Sequence, residues 1–159
     1  MGPHNLLDFI GQNKITESLA VLTSAARKRQ EALDHLIFFG FPGLGKTTLA
    51  EIVANEMGVG MQVITGQVVE KATDFAATLT NLRAGDILLI QQIESLRRSL
   101  IELLIPAMEE YAIDIVIGKG SAARSVRLKL PHFTVIGITS NLFQVDKRLI
   151  NLMLVGRLA

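Results

Sequence analysis

The clearest chemical signature in this chain lies at residues 40–47, which read Gly-Phe-Pro-Gly-Leu-Gly-Lys-Thr. They fit the pattern G-x-x-x-x-G-K-[S/T], in which glycines let backbone N–H groups turn toward an anion. In this pattern Lys46 would reach the β- and γ-phosphates of a nucleotide, and the Thr47 hydroxyl would ligate Mg²⁺. A helix that starts here would add partial positive charge from its N-terminus. The motif therefore predicts a phosphate-binding loop.

The segments on both sides of this loop are those that its mechanism requires. An apolar run at residues 36–39 predicts a buried strand before it. After it, Leu49, Ile52 and Val53 fall on one face of a helix. A strand, a glycine-rich loop and a helix in this order favour a true nucleotide site over a chance match to the pattern.

Helical and strand-like patterns alternate along the rest of the chain. Apolar residues have helical spacing in three further sets: Ile15, Leu19, Leu22 and Ala26; Phe75, Leu79 and Leu82, with Asp74 near the start; and Leu100, Leu104, Ala107 and Met108. Residues 61–65 predict a short strand, and the runs at residues 87–90 and 133–138 predict buried strands. This alternation predicts an α/β domain with a mainly parallel sheet flanked by helices.

The periodicity changes to two between residues 113 and 130. Every second residue is apolar in two runs: Ile113, Ile115 and Ile117, and then Val126, Leu128 and Leu130. Turn residues at positions 118–120 separate the runs, which predicts an inserted β-hairpin. Farther on, Asp146 is expected to cap a last helix that runs through the apolar residues 149–154.

Composition narrows the class of protein. Of the 159 residues 49% are hydrophobic and 19% charged, which suits one domain with a sheet buried on both faces. The absence of cysteine excludes disulfides and thiol catalysis; the three histidines show no metal-ligand spacing, and His35 is interpreted as structural. The net charge of +1 gives no argument for nucleic-acid binding. Because neither a long apolar run nor a signal-peptide pattern is found, we expect a cytoplasmic protein.

Several of these segments resemble the RuvB family, the bacterial Holliday-junction branch-migration motors of the AAA+ class. Besides the phosphate-binding loop, the matching segments are residues 9–12 (Phe-Ile-Gly-Gln), 32–35 (Ala-Leu-Asp-His), 106–111 (Pro-Ala-Met-Glu-Glu-Tyr), 114–120 (Asp-Ile-Val-Ile-Gly-Lys-Gly), 123–125 (Ala-Arg-Ser) and 130–131 (Leu-Pro). The resemblance runs almost without gaps from about Leu7 to Asn141. It implies the large P-loop subdomain of an AAA+ ATPase over residues 1–159, without the lid and winged-helix domains of the family.

The resemblance also implies which residues hold a nucleotide. Phe9 and Ile10 would contact the adenine of ATP or ADP. The phosphates would lie on the loop and the helix start, at Gly43, Leu44, Gly45, Lys46, Thr47 and Thr48. Mg²⁺ would bind at Thr47. Thr139 and Asn141 would form the sensor region, although Asn141 stands where the family has arginine.

A protein partner is implied at the hairpin. In the family the hairpin contacts the RuvA partner, and here Ile115, Ile117 and Val126 would carry that contact. The alternative is that these side chains only pack on the core, since a hairpin with one buried face is common. Any contact with DNA would be indirect. The family forms homo-oligomeric rings, which the departures described next make doubtful for this chain.

The acidic pair needed for hydrolysis departs from the family pattern. After the strand at residues 87–90 the family places an Asp that supports Mg²⁺ and a Glu that polarises the attacking water. This chain has Gln91 and Gln92 instead. A neutral amide cannot accept a proton from water. Glu94 lies two residues past Gln92 and is not expected to replace the missing base.

The positions of the arginine finger also differ from the family pattern. Because of these differences, the function has three possible interpretations. Ile150 and Leu152 align with arginines of the family, and Arg148 and Arg157 stand nearby at shifted positions. The chain is first interpreted as a RuvB-like core domain of a branch-migration motor that binds nucleotide with little or no hydrolysis. The alternatives are a catalytically inactive nucleotide-binding scaffold and a P-loop domain redesigned for solubility or stability.

Overall fold

A parallel sheet with helices on both faces forms most of the described part of the chain. The computed structural model describes residues 13–40, 45–69 and 71–158. In chain order the elements are α1 (Asn13–Arg29), β1 (Leu36–Gly40), α2 (Lys46–Met57), β2 (Met61–Thr65), α3 (Ala72–Thr80), β3 (Ile87–Gln91), α4 (Arg98–Glu110), β4 (Ala112–Ile117), β5 (Arg124–Lys129), β6 (Thr134–Thr139), α5 (Lys147–Ile150) and β7 (Leu154–Leu158). The predicted α/β class, with a mainly parallel sheet and an inserted hairpin, is confirmed.

Five strands form the main sheet in the order β2-β3-β6-β1-β7, and every neighbouring pair is parallel. The register sets Gln91 at the end of β3 between Thr65 of β2 and Ile138 of β6. Thr139 lies beside Phe39 of β1. Because parallel strands all end at one edge, these residues meet where the loop after β1 leads into α2. Ligands of open α/β sheets bind at this carboxyl edge.

Both faces of the sheet are covered by helices. On one face α1 and α2 supply buried residues that include Leu19, Ala26, Leu49, Ile52 and Val53. On the other face α3 and α4 supply buried residues that include Phe75, Leu79, Leu100, Leu104 and Met108. Burial on both sides explains why the inner strands read as continuous apolar runs. Among the described residues, no helix has the length and apolar character that a membrane crossing requires.

The last predicted helix is wrong in its extent. Asp146 does cap it, because its Oδ1 accepts a hydrogen bond from the backbone N–H of Arg148 at 2.8 Å. However, α5 ends at Ile150. Leu154 instead begins the edge strand β7, and its N–H donates to the carbonyl oxygen of His35 at 2.8 Å. A short apolar run has no periodicity that separates helix from strand, so pairing with β1 decides its structure.

The hairpin strands β4 and β5 pair in antiparallel fashion beside the main sheet. Ile113 at the base is fully buried, and Ile115 packs partly buried against the core. Toward the tip, Val116 is 70% exposed and Ile117 is 48% exposed. Val126, which pairs with Ile115, is half-buried. The hairpin therefore joins the core at its base and presents apolar side chains to solvent near its tip.

His35 joins three elements at the opposite, amino-terminal edge of the sheet. Its buried ring accepts a hydrogen bond at Nδ1 from the backbone N–H of Val135 at 2.9 Å, and its Nε2 lies 3.4 Å from the carbonyl oxygen of Met108. Burial lowers the pKa of His35, although the Met108 carbonyl and the Asp34 carboxylate act in the opposite direction. Because Nδ1 can accept a hydrogen bond only in the neutral ring, folding stabilises that form.

The free energy of unfolding should therefore fall as the pH drops below the ordinary His pKa of 6.5. In that range His35 takes up a proton in the unfolded chain but resists it in the folded protein. The unfolded state then binds more protons, and this one group can remove up to about 1.4 kcal/mol per pH unit. Urea unfolding at about pH 7.5 and about pH 5.5 measures the loss.

His35→Asn is the control for this prediction, because its Oδ1 can still accept a hydrogen bond from Val135 but does not titrate in this range. The variant should lose less stability between the two pH values than the unmodified chain does. Equal losses would contradict the assignment of the pH dependence to His35.

Candidate functional site

A cavity of about 490 Å³ opens at the carboxyl edge of the sheet, beside the start of α2. The described residues that line it come from the ends of β2, β3 and β6 and from the first turn of α2: Gly45, Lys46, Thr47, Thr48, Thr65, Gln91, Gln92 and Ile138. None of them is acidic. The tertiary structure thus brings together four of the predicted phosphate-binding residues, Gly45 to Thr48, and both glutamines.

Lys46 is the cation of this cavity. Its side chain is largely buried, and its Nζ donates a hydrogen bond to the carbonyl oxygen of Gly40 at 3.1 Å. Burial lowers the pKa of Lys46 below its usual value of 10.5. Gly45 directly before the helix has φ 79°, a left-handed conformation that glycine adopts without strain. The first N–H groups of α2 then add their partial positive charge at the same end.

Gln91 connects the ends of three elements through its side chain. Its Nε2 donates a hydrogen bond to Thr47 Oγ1 at 3.2 Å, and its Oε1 accepts one from Thr65 Oγ1 at 3.4 Å. The amide therefore ties the first turn of α2 to the end of β2. The sequence did not indicate Thr65 as a site residue. It lies 26 residues from Gln91 along the chain, and only the strand register makes the two residues neighbours.

Gln92 and Glu94 follow in a tight turn after β3. Gln92 is exposed and has a left-handed backbone with φ 51°. Glu94 does not line the cavity beside α2 but a separate one, together with Arg98 and Arg148. Its Oε2 is buried without a hydrogen-bond partner among the described residues. Among the described residues, Glu94 is therefore not part of the lining of the cavity that Lys46 lines.

The two predicted sensor residues, Thr139 and Asn141, form hydrogen bonds with each other. Thr139 Oγ1 donates to the carbonyl oxygen of Asn141 and accepts from its backbone N–H, both at 3.1 Å. Asn141 Oδ1 accepts a hydrogen bond from the backbone N–H of Phe143 at 3.1 Å. These contacts fold the turn after β6, and neither sensor side chain is among the described residues that line the cavity.

The two residues predicted to stand at the positions of the family's finger arginines contribute to the apolar core. Ile150 and Leu152 are partly buried and pack against the apolar cluster beneath α4. Arg148 is bound within its own chain: its guanidinium lies 3.1 Å from Asp146 Oδ2 and 3.1 Å from Glu102 Oε1. These carboxylates raise the pKa of Arg148 further above its usual value. Two carboxylates of the same chain thus hold the Arg148 guanidinium at the protein surface.

Four predicted nucleotide-binding residues, Phe9, Ile10, Gly43 and Leu44, lie outside the described residues.

Gly66 holds the end of β2 against the turn that carries both glutamines. Its N–H donates to the carbonyl oxygen of Gln91 at 2.7 Å. A Cβ at position 66 would overlap the backbone carbonyl oxygen of Gln92, and backbone cannot rotate away as a side-chain end can. This close approach keeps Thr65 within hydrogen-bond reach of Gln91.

Gly66→Ala should therefore lower the free energy of unfolding by about 1–3 kcal/mol, the usual cost of overpacking. Gly60→Ala is the matched control, because its Cβ would meet mainly the carboxylate end of Asp86, which can move. Urea denaturation of both variants checks this. A loss in Gly66→Ala no larger than that in Gly60→Ala would contradict the close approach.

The fold and the site together define a P-loop nucleoside-triphosphatase domain of the AAA+ type. The family model of the Holliday junction DNA helicase RuvB P-loop domain matches residues 1–154, so the chain belongs to the RuvB family. The Holliday junction branch migration complex subunits RuvB of Chloroflexus aurantiacus and Thermomicrobium roseum are each 54% identical to it over 140 residues. Those 140 residues cover 88% of this chain and 40% of each relative, so the chain spans less than half the length of these curated relatives.

Solved structures of the family agree with this assignment. A Thermotoga maritima RuvB mutant superposes with a TM-score of 0.90 at 36% identity, covering 100% of this chain and 50% of that chain. The Thermotoga maritima RuvB Holliday junction branch migration motor gives a TM-score of 0.86 at 34% identity, covering 99% and 48%. The resemblance inferred from the sequence motifs is thereby confirmed.

Proposed function

We propose that this RuvB-family domain binds an adenine nucleotide at the cavity beside α2 and hydrolyses it slowly or not at all. The observation that carries the proposal is the Gln91 amide, which contacts the Thr47 hydroxyl where a hydrolysing P-loop enzyme has a carboxylate. The phosphate-binding elements are present, while the acids that act on metal and water are not.

Binding is supported by the charge at the cavity. Lys46 and the N-terminus of α2 both present positive charge toward the space where phosphates would lie. The predicted adenine contacts at Phe9 and Ile10 complete the proposed site. This arrangement favours a polyphosphate ligand over a neutral one.

Slow hydrolysis is supported by the missing base. Gln92 stands at the position of the water-activating glutamate, and its amide has no basic oxygen that could take a proton. Glu94 lines a separate cavity, which argues against its acting in place of Gln92. A positioned general base contributes about 10²–10⁴ in rate, so its loss alone should lower turnover by about that factor.

The absence of a finger arginine should also lower the rate of hydrolysis. A finger arginine contributes about 10³–10⁵ in rate by neutralising charge in the transition state. For Arg148 to reach the nucleotide of a neighbouring subunit, it would have to leave both Asp146 and Glu102. An apolar Ile150 or Leu152 cannot supply the charge. An inactive scaffold subunit remains the second candidate, and it shares the proposed nucleotide chemistry.

Mg²⁺ fits this site only in part. Thr47 offers a hydroxyl that can ligate the ion, but the neutral Gln91 supplies no negative charge and directs an N–H at that same hydroxyl. The described residues also contain no group of three or more His, Asp or Glu side chains that could hold a metal ion. The chain's own contribution to nucleotide binding therefore rests on Lys46 and the backbone.

Calorimetric titration with ADP should show binding, and Lys46→Ala should weaken it at least about tenfold because the buried ammonium is lost. Phosphate release from ATP should stay near the level without protein. Turnover that is robust in the unmodified chain and disappears in Lys46→Ala would refute the slow-hydrolysis proposal, and an absence of binding would refute the nucleotide site.

The double variant Gln91→Asp with Gln92→Glu is the matched control for hydrolysis. It restores both acids without touching Lys46, and it should raise phosphate release above that of the unmodified chain. If it does not, the missing finger rather than the missing acids limits the reaction.

We also propose that the hairpin binds a RuvA-type partner. Val116 and Ile117 near its tip are exposed apolar side chains, and Val116 was not among the residues expected from the sequence. Ile115 and Val126, which were also predicted to carry this contact, are half-buried. An exposed apolar tip on a hairpin that is anchored at its base suits docking to an apolar patch on another protein.

Ile117→Asp should reduce pull-down by a RuvA C-terminal domain at least about tenfold, because a charge would be buried at the contact. Val63→Asp is the control, since Val63 is 50% exposed on β2, away from the hairpin. Unchanged capture of Ile117→Asp, or equal loss in both variants, would contradict the hairpin assignment.

A further inference from the structure

We propose that nucleotide binding to this domain is independent of Mg²⁺, because the Gln91 amide replaces the carboxylate that would hold a metal ion beside Thr47. This inference rests on the proposed nucleotide binding and specifies whether that binding depends on a metal ion. It concerns the side chains of this chain that would face the metal.

A metal ion in a P-loop site needs a specific pair of side chains. The loop Ser or Thr gives it a hydroxyl oxygen, and an acidic residue at the end of the neighbouring strand supplies negative charge. Mg²⁺ takes oxygen ligands in near-octahedral geometry and gives up its water reluctantly, so the negative charge matters for holding it. Here the first partner is Thr47 and the second position is Gln91.

The hydrogen bonds of Gln91 hold a neutral amide beside the Thr47 hydroxyl. Thr65 donates to Oε1, which leaves Nε2 directed at Thr47 Oγ1. One lone pair of the Thr47 hydroxyl is thereby occupied by an N–H donor. With either end of the amide turned toward Thr47, the side chain carries no negative charge that could hold a metal ion. A carboxylate at this position would present negative charge instead.

No other described group compensates for this charge. The cavity has no acidic lining residue, and its charged side chain is the cation Lys46. Glu94 lines a different cavity. Metal ions and Lys46 both neutralise phosphates, and in this chain the neutralisation falls to Lys46 and the α2 N-terminus. Metal-free nucleotide should therefore bind about as well as its Mg²⁺ complex.

Calorimetric titration with ADP in EDTA and in excess MgCl₂ tests this inference. For the unmodified chain the two dissociation constants should agree within about twofold. Gln91→Asp, which restores the acid, should bind ADP at least about tenfold more tightly with MgCl₂ than with EDTA. The nearly isosteric Gln91→Glu should change in the same direction, so the result does not depend on how one shortened side chain fits.

Gln144→Glu controls for the added negative charge. Gln144 is exposed and lies outside the cavity beside α2, so this variant should remain indifferent to Mg²⁺. Circular dichroism of all the variants shows whether they are folded.

Three results would overturn the inference. A tenfold or greater effect of MgCl₂ on the unmodified chain would leave nucleotide binding standing but show that a metal site exists without a carboxylate. Metal indifference in both folded Gln91 variants would show that position 91 does not decide the matter. If the unmodified chain binds ADP in neither buffer, the proposed function fails and this inference fails with it.

Discussion

Burial of the parallel sheet on both faces is the constraint on which the rest of the molecule depends. Because α1 and α2 cover one face and α3 and α4 the other, the inner strands have almost no room for polar side chains. Polar residues can appear only where strands end. All the strands of the main sheet end at the same edge, so Thr65 and Gln91 become neighbours beside α2 without any sequence proximity.

At the carboxyl edge of the sheet, phosphate binding and hydrolysis depend on different side chains. Lys46 and the start of α2 belong to one continuous stretch of chain, and they persist here. The acidic pair would come from the end of β3, and the finger from the segment around α5. Because these parts are separate in the chain, amides and apolar residues can replace one set without disturbing the other. The hydrogen bonds of Gln91 to both threonines show that such a replacement is structurally satisfied.

Much of the fold could be predicted from periodicity. The alternation of apolar runs and helical spacing located β1 to β3, β6 and α1 to α4 to within a few residues, and the period of two located the hairpin. The prediction failed at residues 151–154, because the expected helix ends at Ile150 and β7 begins at Leu154. The cause is physical: an edge strand exposed on one side, with Val155 47% exposed, carries no distinctive pattern, and its structure comes from pairing with β1.

The sequence by itself determined that the chain carries the P-loop domain of the RuvB family. It also predicts that Gln91 and Gln92 stand in place of the family's acids, and Ile150 and Leu152 in place of its finger. These properties are local, since each depends on residue types at fixed spacing. Only the tertiary structure decided which residues surround these positions. It places Thr65 in hydrogen-bond contact with Gln91, and it places Glu94 in the lining of another cavity. It also pairs Arg148 with Asp146 and Glu102. Such contacts arise from strand register and helix packing, which join residues that no local spacing relates.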